Sequence, residues 1–170
     1  NGFPLSAVVG RRDIMMVFDD IFFSGTFGGE ALSLAACQAT LAELERMNGI
    51  SLIWSYGTKL SAEISSQIAK HELDGSVKLL GLPVRSVVAF PNADERESLL
   101  RRTYFMQECV KRGLLYFCSH TPCAAHGDAE LNFTAEVLRE VFPLFASAER
   151  AKDFASRLEG PCVEAIFRRA

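Results

Sequence analysis

The chain has 170 residues, enough for one domain with a real core or for parts of two. Hydrophobic residues make up 49% and charged residues 23%, which is ordinary globular material, and a net charge of -3 gives no reason to expect nucleic acid or an anionic membrane as partner. No apolar run approaches the roughly 18 residues of a membrane span, no signal peptide is visible, and five cysteines without framework spacing (Cys37, Cys109, Cys118, Cys123, Cys162) favour a reduced, cytoplasmic setting.

Asn1-Gly2 is a turn pair, and Pro4 opens an extended segment that predicts a strand over Ala7, Val8 and Val9. A chain that opens without methionine, inside a turn and directly before a buried strand, reads as a piece of a longer one. Phe22-Phe23 then runs into Ser-Gly-Thr, Phe and two glycines, which reads as a strand, a glycine turn and a helix start. Residues 29–47 read as that helix, with Leu32, Ala35, Ala36, Ala39 and Leu44 as a small-residue face, and Asn48-Gly49 ends it. A second helix covers about 51–71, with Ile53, Tyr56, Leu60, Ile64 and Ile68 on one stripe, until Asp74-Gly75 breaks it. Short strands are expected near 77–82 and 85–90. Pro91 to Asp94 starts a helix over about 95–112, with Asp94 and Glu97 spaced as in a capping box. Gly113 closes it, and 114–117 reads as a strand. Asp128 can cap a further helix to about 146, whose core stripe is Thr134, Val137, Leu138, Val141, Leu144 and Phe145. A charged helix over about 147–158 and the tail VEAIFRRA complete the chain. There is no internal repeat. A boundary between two domains is expected within 48–75, and the second half predicts a small α+β unit.

Three groups of residues invite a chemical reading. Taken alone, SGTFGG is a plain strand-to-helix connection. Three details speak for an anion site: Thr26 adds a hydroxyl donor, a helix starts at the turn, and the turn ends a strand, where α/β proteins place ligands. It is not a Walker loop, because no Gly-Lys-Thr/Ser follows. Cys118, His120, Cys123 and His126 put two thiols and two imidazoles within nine residues. Their spacing lacks the paired C-x₂-C knuckle of zinc sites, so buried cysteines and hydrogen-bonding histidines are the competing reading. Arg11-Arg12 and Arg101-Arg102 read as solvated faces, and Asp19-Asp20 as capping or solvated acids in a loop. Arg85, between two strands, is a candidate for a substrate carboxylate. No Ser/His/Asp set is recognisable.

NGFPLSAVVGRRDIM, followed by FFSGTFGGEALSLAACQATL, resembles the class III pyridoxal-phosphate aminotransferases, in particular the glutamate-1-semialdehyde aminomutase branch. KRGLLYF, AAHGDAEL and LEGPCVEAIFRR are similar to the layout of the family's small C-terminal domain. The resemblance implies an α/β fold, the C-terminal part of a fold-type-I transferase. Residues 1–48 would be the end of the large cofactor-binding domain, 49–74 a connecting helix, and 75–170 a small α+β domain. It implies pyridoxal 5'-phosphate as cofactor, a homodimer, and a small amino-acid or aldehyde substrate. Thr26 and the backbone around Gly25 would hold the phosphate of the partner subunit's cofactor. The family's Schiff-base lysine would stand just before Asn1, and none of Lys59, Lys70, Lys78, Lys111 or Lys152 is placed to replace it. The resemblance thus implies an aminotransferase or aminomutase in the full-length parent, and no catalysis by these 170 residues alone. Gly29-Glu30-Ala31 departs from the Gly-Asn-Pro of many members and leaves the substrate open. Three other readings stay open: a non-catalytic structural or dimerisation domain derived from the family, a Cys/His metal module, and a different transferase with the same half-domain.

Overall fold

The computed structural model describes residues 2–91 and 94–164; Asn1 and the last six residues of VEAIFRRA lie outside them. The chain divides into two units, Asn1–Gly49 and Ile50–Ala170.

In the first unit, residues 3–10 form no helix or strand, α1 spans Arg12–Met15, and a 3-10 turn spans Met16–Asp19. Residues 22–25 lead into a turn at 26–29, and α2 runs over Ala31–Arg46. The strands expected at 7–9 and 22–23 do not form. A strand needs a neighbour to fill its ladder, and the only ladders among the described residues lie in the second unit. Val9 is accordingly 86% exposed and Phe22 95%. The expected close-packing face of α2 is also open: Leu32 is 62% exposed, Ala35 and Ala39 are exposed, and of this helix only Ser33 is buried. Asn48 takes the left-handed conformation (φ 50°) that ends this stretch, and α3 starts at once, at Gly49.

The second unit is built on α3 (Gly49–Lys70), α4 (Glu95–Lys111) and α5 (Asp128–Ala151) against a three-stranded sheet. Strands β1 (Lys78–Leu82) and β2 (Arg85–Ala89) form an antiparallel hairpin, Leu82 opposite Arg85. Strand β3 (Ser119–His120) pairs antiparallel with the other edge of β2, Val87 opposite Ser119. The apolar stripe of α3 is buried from Tyr56 through Leu60 and Ile64 to Ile68. Asp94 caps α4 by accepting from the Glu97 N–H at 2.7 Å. Phe105, Phe142 and Phe145 meet edge-to-face at the centre, with ring centroids 5.4 and 5.9 Å apart.

Four expectations need correction. The strand placed at 114–117 is extended chain without a partner. Pairing starts one residue later, where the Val88 N–H donates to the Cys118 carbonyl at 2.7 Å. The helices expected at 128–146 and 147–158 are one long helix to Ala151 and a single turn, α6 (Phe154–Arg157). Glu149 and Arg150 do not end α5, because Ala146 and Ala148 continue its buried stripe. It stops at Lys152, which is left-handed at φ 56°. Its start is capped by Glu130, whose carboxylate accepts from the Gly127 N–H at 2.8 Å, and not by Asp128. Finally, Arg101 is not a solvated cation. It is buried, with Nε 2.9 Å from Glu149 of α5, while Arg102 is exposed.

Candidate functional site

The anion turn lies wholly in the first unit. The Gly28 N–H donates to the Gly25 carbonyl at 3.0 Å, and the Glu30 N–H to Phe27 at 3.3 Å. Thr26 is exposed, and its hydroxyl has no partner among the described residues. A Cβ placed on Gly25 or Gly29 would meet nothing within 4 Å, while one on Gly28 would stand 3.2 Å from the Gly25 oxygen. Thr26 and Gly25 line a hollow of about 560 Å³ together with Ser6, Met15, Phe18 and Phe27. A hydroxyl and main-chain N–H groups beside such a hollow are the neutral donor set that suits a phosphate.

The start of α2, however, already holds an anion. Glu30 accepts from the Leu32 N–H at 2.9 Å, from the Ser33 N–H at 2.6 Å and from the Ser33 hydroxyl at 2.5 Å. The Ser33 hydroxyl, then the two N–H groups, hold its carboxyl below the usual carboxylate range. The sequence argument assigned these helix-start donors to an external ligand. In the structure they belong to the chain's own carboxylate, and only the turn itself remains on offer. Little in the sequence warned of this, because glutamate is not among the usual N-cap residues.

Cys118, His120, Cys123 and His126 are not arranged as ligands. His120 stacks on Tyr56 at 5.6 Å and 9° and lies 6.2 Å from His126, ring to ring. His126 Nδ1 accepts from the Cys123 N–H at 3.2 Å. Cys118 is buried, and burial pushes its thiol up to about 12. Among the described residues no three His, Cys, Asp or Glu groups are placed to hold a metal ion.

The other candidates are scattered. Arg85, Asp19 and Asp20 are exposed, and Arg11 pairs with Asp13 in solvent. Lys59 lies 3.6 Å from Asp128, Lys111 2.5 Å from Glu159 and Lys152 3.0 Å from Glu149, so each of these lysines faces a carboxylate. No helix among the described residues is long and apolar enough to cross a membrane.

No family model matches the chain. Individual proteins do. The chain is 26% identical over 143 residues to the 3-aminobutyryl-CoA aminotransferase of Cloacimonas acidaminovorans, covering 82% of this chain and 34% of that protein. It is 30% identical over 146 residues to the 2-aminoadipate transaminase of Pseudomonas putida, with the same coverage. Against the glutamate-1-semialdehyde 2,1-aminomutase of Ignicoccus hospitalis it is 28% identical over 167 residues, covering 85% and 37%. Among solved structures it matches the pyridoxal-phosphate internal aldimine form of the Sphingopyxis sp. MTA144 FumI protein. The TM-score is 0.67, with 25% identity, over 87% of this chain and 34% of that one. A transaminase with bound pyridoxal phosphate gives the same TM-score at 18% identity, which speaks for the fold alone. The chain therefore spans about a third of the length of the relatives it matches.

Proposed function

We infer that this chain, a relative of the class III pyridoxal-phosphate aminotransferases over 82% of its length, supplies about a third of an enzyme that moves an amino group on a small amino-acid or aldehyde substrate. The observation that carries this is the breadth of the likeness. Proteins named for different substrates, aminotransferases and aminomutases alike, share amino-group chemistry, and each matches over nearly the whole of this chain. In our reading the first 48 residues end the large domain, 49–74 connect, and 75–170 form the small domain of a cytoplasmic homodimer.

Bound pyridoxal phosphate would supply the electron sink that loosens bonds at the amino-bearing carbon. This chain's part is to hold it. Thr26 Oγ1 and the main chain at Gly25 would take the phosphate of the partner subunit's cofactor, since both are exposed beside the hollow and neither is tied to another group by side chain. Glu30 keeps the donors of α2 to itself, so the phosphate rests on the turn. The lysine nucleophile would come from sequence before Asn1.

The test uses the enzyme in which this chain is joined to that lysine. Thr26→Val keeps the shape and removes the donor. A hydrogen bond to a charged group is worth about 1.5–3 kcal/mol, so cofactor affinity should fall roughly ten- to hundredfold. Mixing that variant with one whose lysine is replaced by alanine leaves one dimer site with both defects and one with neither. Activity then returns if Thr26 acts across the interface. Unchanged cofactor affinity refutes the phosphate role, and absence of rescue refutes the trans assignment.

A further inference from the structure

One helix face of the second unit is occupied in an unusual way. Thr103, Gln107 and Lys111 stand four residues apart on α4, so they form one stripe along it. All three grip residues 157–163, the last residue of α6 and the segment that follows it. Gln107 is bidentate: its Nε2 donates to the Arg157 carbonyl at 3.1 Å, and its Oε1 accepts from the Glu159 N–H at 2.8 Å. That is the pair of bonds a neighbouring strand would offer. Thr103 donates its proton to the Leu99 carbonyl at 2.6 Å, which frees Oγ1 to accept from the Val163 N–H at 3.1 Å. The Cys162 sulfur, 3.3 Å from the same oxygen, must then be the donor in that contact. Lys111 meets the Glu159 carboxylate at 2.5 Å.

The stripe therefore reads mainly main-chain groups. Of the side chains in the segment, Glu159 is selected by charge, Leu158 packs against the core, and Arg157, at its root, is tied to Asp153 and Ser147. From 158 to 164 the chain has no helix or strand of its own, so these side-chain bonds, more than a ladder, hold it down. A segment tied by a few such bonds opens locally at far lower cost than the core unfolds. When it opens, Gln107, Thr103 and Lys111 are left presenting an unfilled template for extended chain.

We propose that the Thr103–Gln107–Lys111 stripe is a docking site for an extended peptide bearing a carboxylate, that residues 157–163 fill it in cis, and that the same stretch of a second copy takes their place when the strap opens. The recognition chemistry is that of strand addition, main-chain bonds for affinity and one charge for register, transferred from a sheet edge to a helix face. Exchange of an identical segment between copies needs no new contact.

Cys162 reports the opening. In the intact chain its alkylation by iodoacetamide should be slow relative to exposed Cys123. Gln107→Ala should raise the Cys162 rate about tenfold or more and leave Cys123 unchanged. Thr103→Val should act in the same direction, and reactivity at buried Cys109 or Cys118 would expose a variant that had simply misfolded. A synthetic peptide of residues 157–164, with serine in place of Cys162, should accelerate Cys162 alkylation saturably, and the same peptide lacking the Glu159 carboxylate should not. Exchange is read by mixing ¹⁵N-labelled and unlabelled chain and coupling Lys111 to Glu159 with a carbodiimide, which joins amine and carboxylate with loss of water. Crosslinks between labelled and unlabelled copies are expected. A Cys162 rate unmoved by both substitutions, peptides that act alike, or crosslinks confined to single copies would overturn the proposal.

Discussion

Acid should weaken the second unit through one imidazole. His120 of β3 is stacked on Tyr56, with its Nε2 buried and without a hydrogen-bond partner among the described residues. Burial first, and His126 second, push its pKa down to about 4. In the unfolded chain it returns to about 6.5, so between these values the unfolded state binds a proton that the folded state refuses. The stability held by the neutral ring is complete above about pH 6.5 and is lost as pH falls toward 4. Linkage puts the loss from pH 7 to pH 5 at about 2 kcal/mol, approaching about 3 kcal/mol near pH 4. The rings facing it are Tyr56 of α3, Tyr116 of the segment before β3, and His126 before α5, none of which is an anion at these pH values. His120→Phe keeps a stacking ring and removes the proton site. Urea unfolding of both proteins at pH 7, 6 and 5 isolates the contribution. His71, also pushed down by burial, is common to both and cancels. The original chain should lose about 2 kcal/mol relative to the variant over this range. Parallel losses in the two proteins would refute the reasoning.

Other substitutions probe the packing. A Cβ on Gly57 would stand 2.2 Å from the Pro83 carbonyl oxygen, so Gly57→Ala should destabilise by about 1–3 kcal/mol or more in urea unfolding as α3 is pushed from the hairpin turn. Arg101→Met leaves Glu149 paired with exposed Lys152 alone and should cost about 1–3 kcal/mol, while the double change with Glu149→Leu should recover much of it. A single-variant loss below 1 kcal/mol would mean the pair is better hydrated than its burial indicates. Phe22, Phe23 and Phe27 are exposed together in the first unit, so the 170-residue chain should self-associate, and Phe22→Ser with Phe23→Ser should shift sedimentation toward monomer.

The second unit was more legible than the first because its signals were local. The stripe of α3, the Asp94 cap and the two strands of the hairpin all reside in short windows of sequence. What escaped was set at a distance. Arg101 looks like Arg102 in sequence, and only Glu149, 48 residues away, makes it an interior residue. The continuation of α5 past 146 was hidden because Glu149 and Arg150 read as a polar break, although Ala146 and Ala148 keep the buried stripe going. Residues 7–9 and 22–23 have strand chemistry, yet a strand is a relation between two segments, and no partner for either lies among the described residues.

The turn at 22–30 shows the same division between local and distant information. The sequence points to anion-holding donors at the start of α2 and assigns them to an external ligand. Glu30 takes three donors there itself, at 2.5–2.9 Å, and this has a physical consequence. A helix start needs its first N–H groups satisfied by something. Where a ligand does it, the helix end depends on the ligand. Where Glu30 does it, α2 begins at Ala31 with no ligand at all. The turn at Thr26 therefore adjoins a helix that is already complete, and a phosphate bound there, as we propose, would meet donors fixed before it arrives. Pre-ordered donors cost nothing to arrange at the moment of binding. The negative charge of Glu30 works against that gain: its three hydrogen bonds come from neutral donors that hold the carboxylate ionised, so a second anion proposed on the turn would have to bind against that charge.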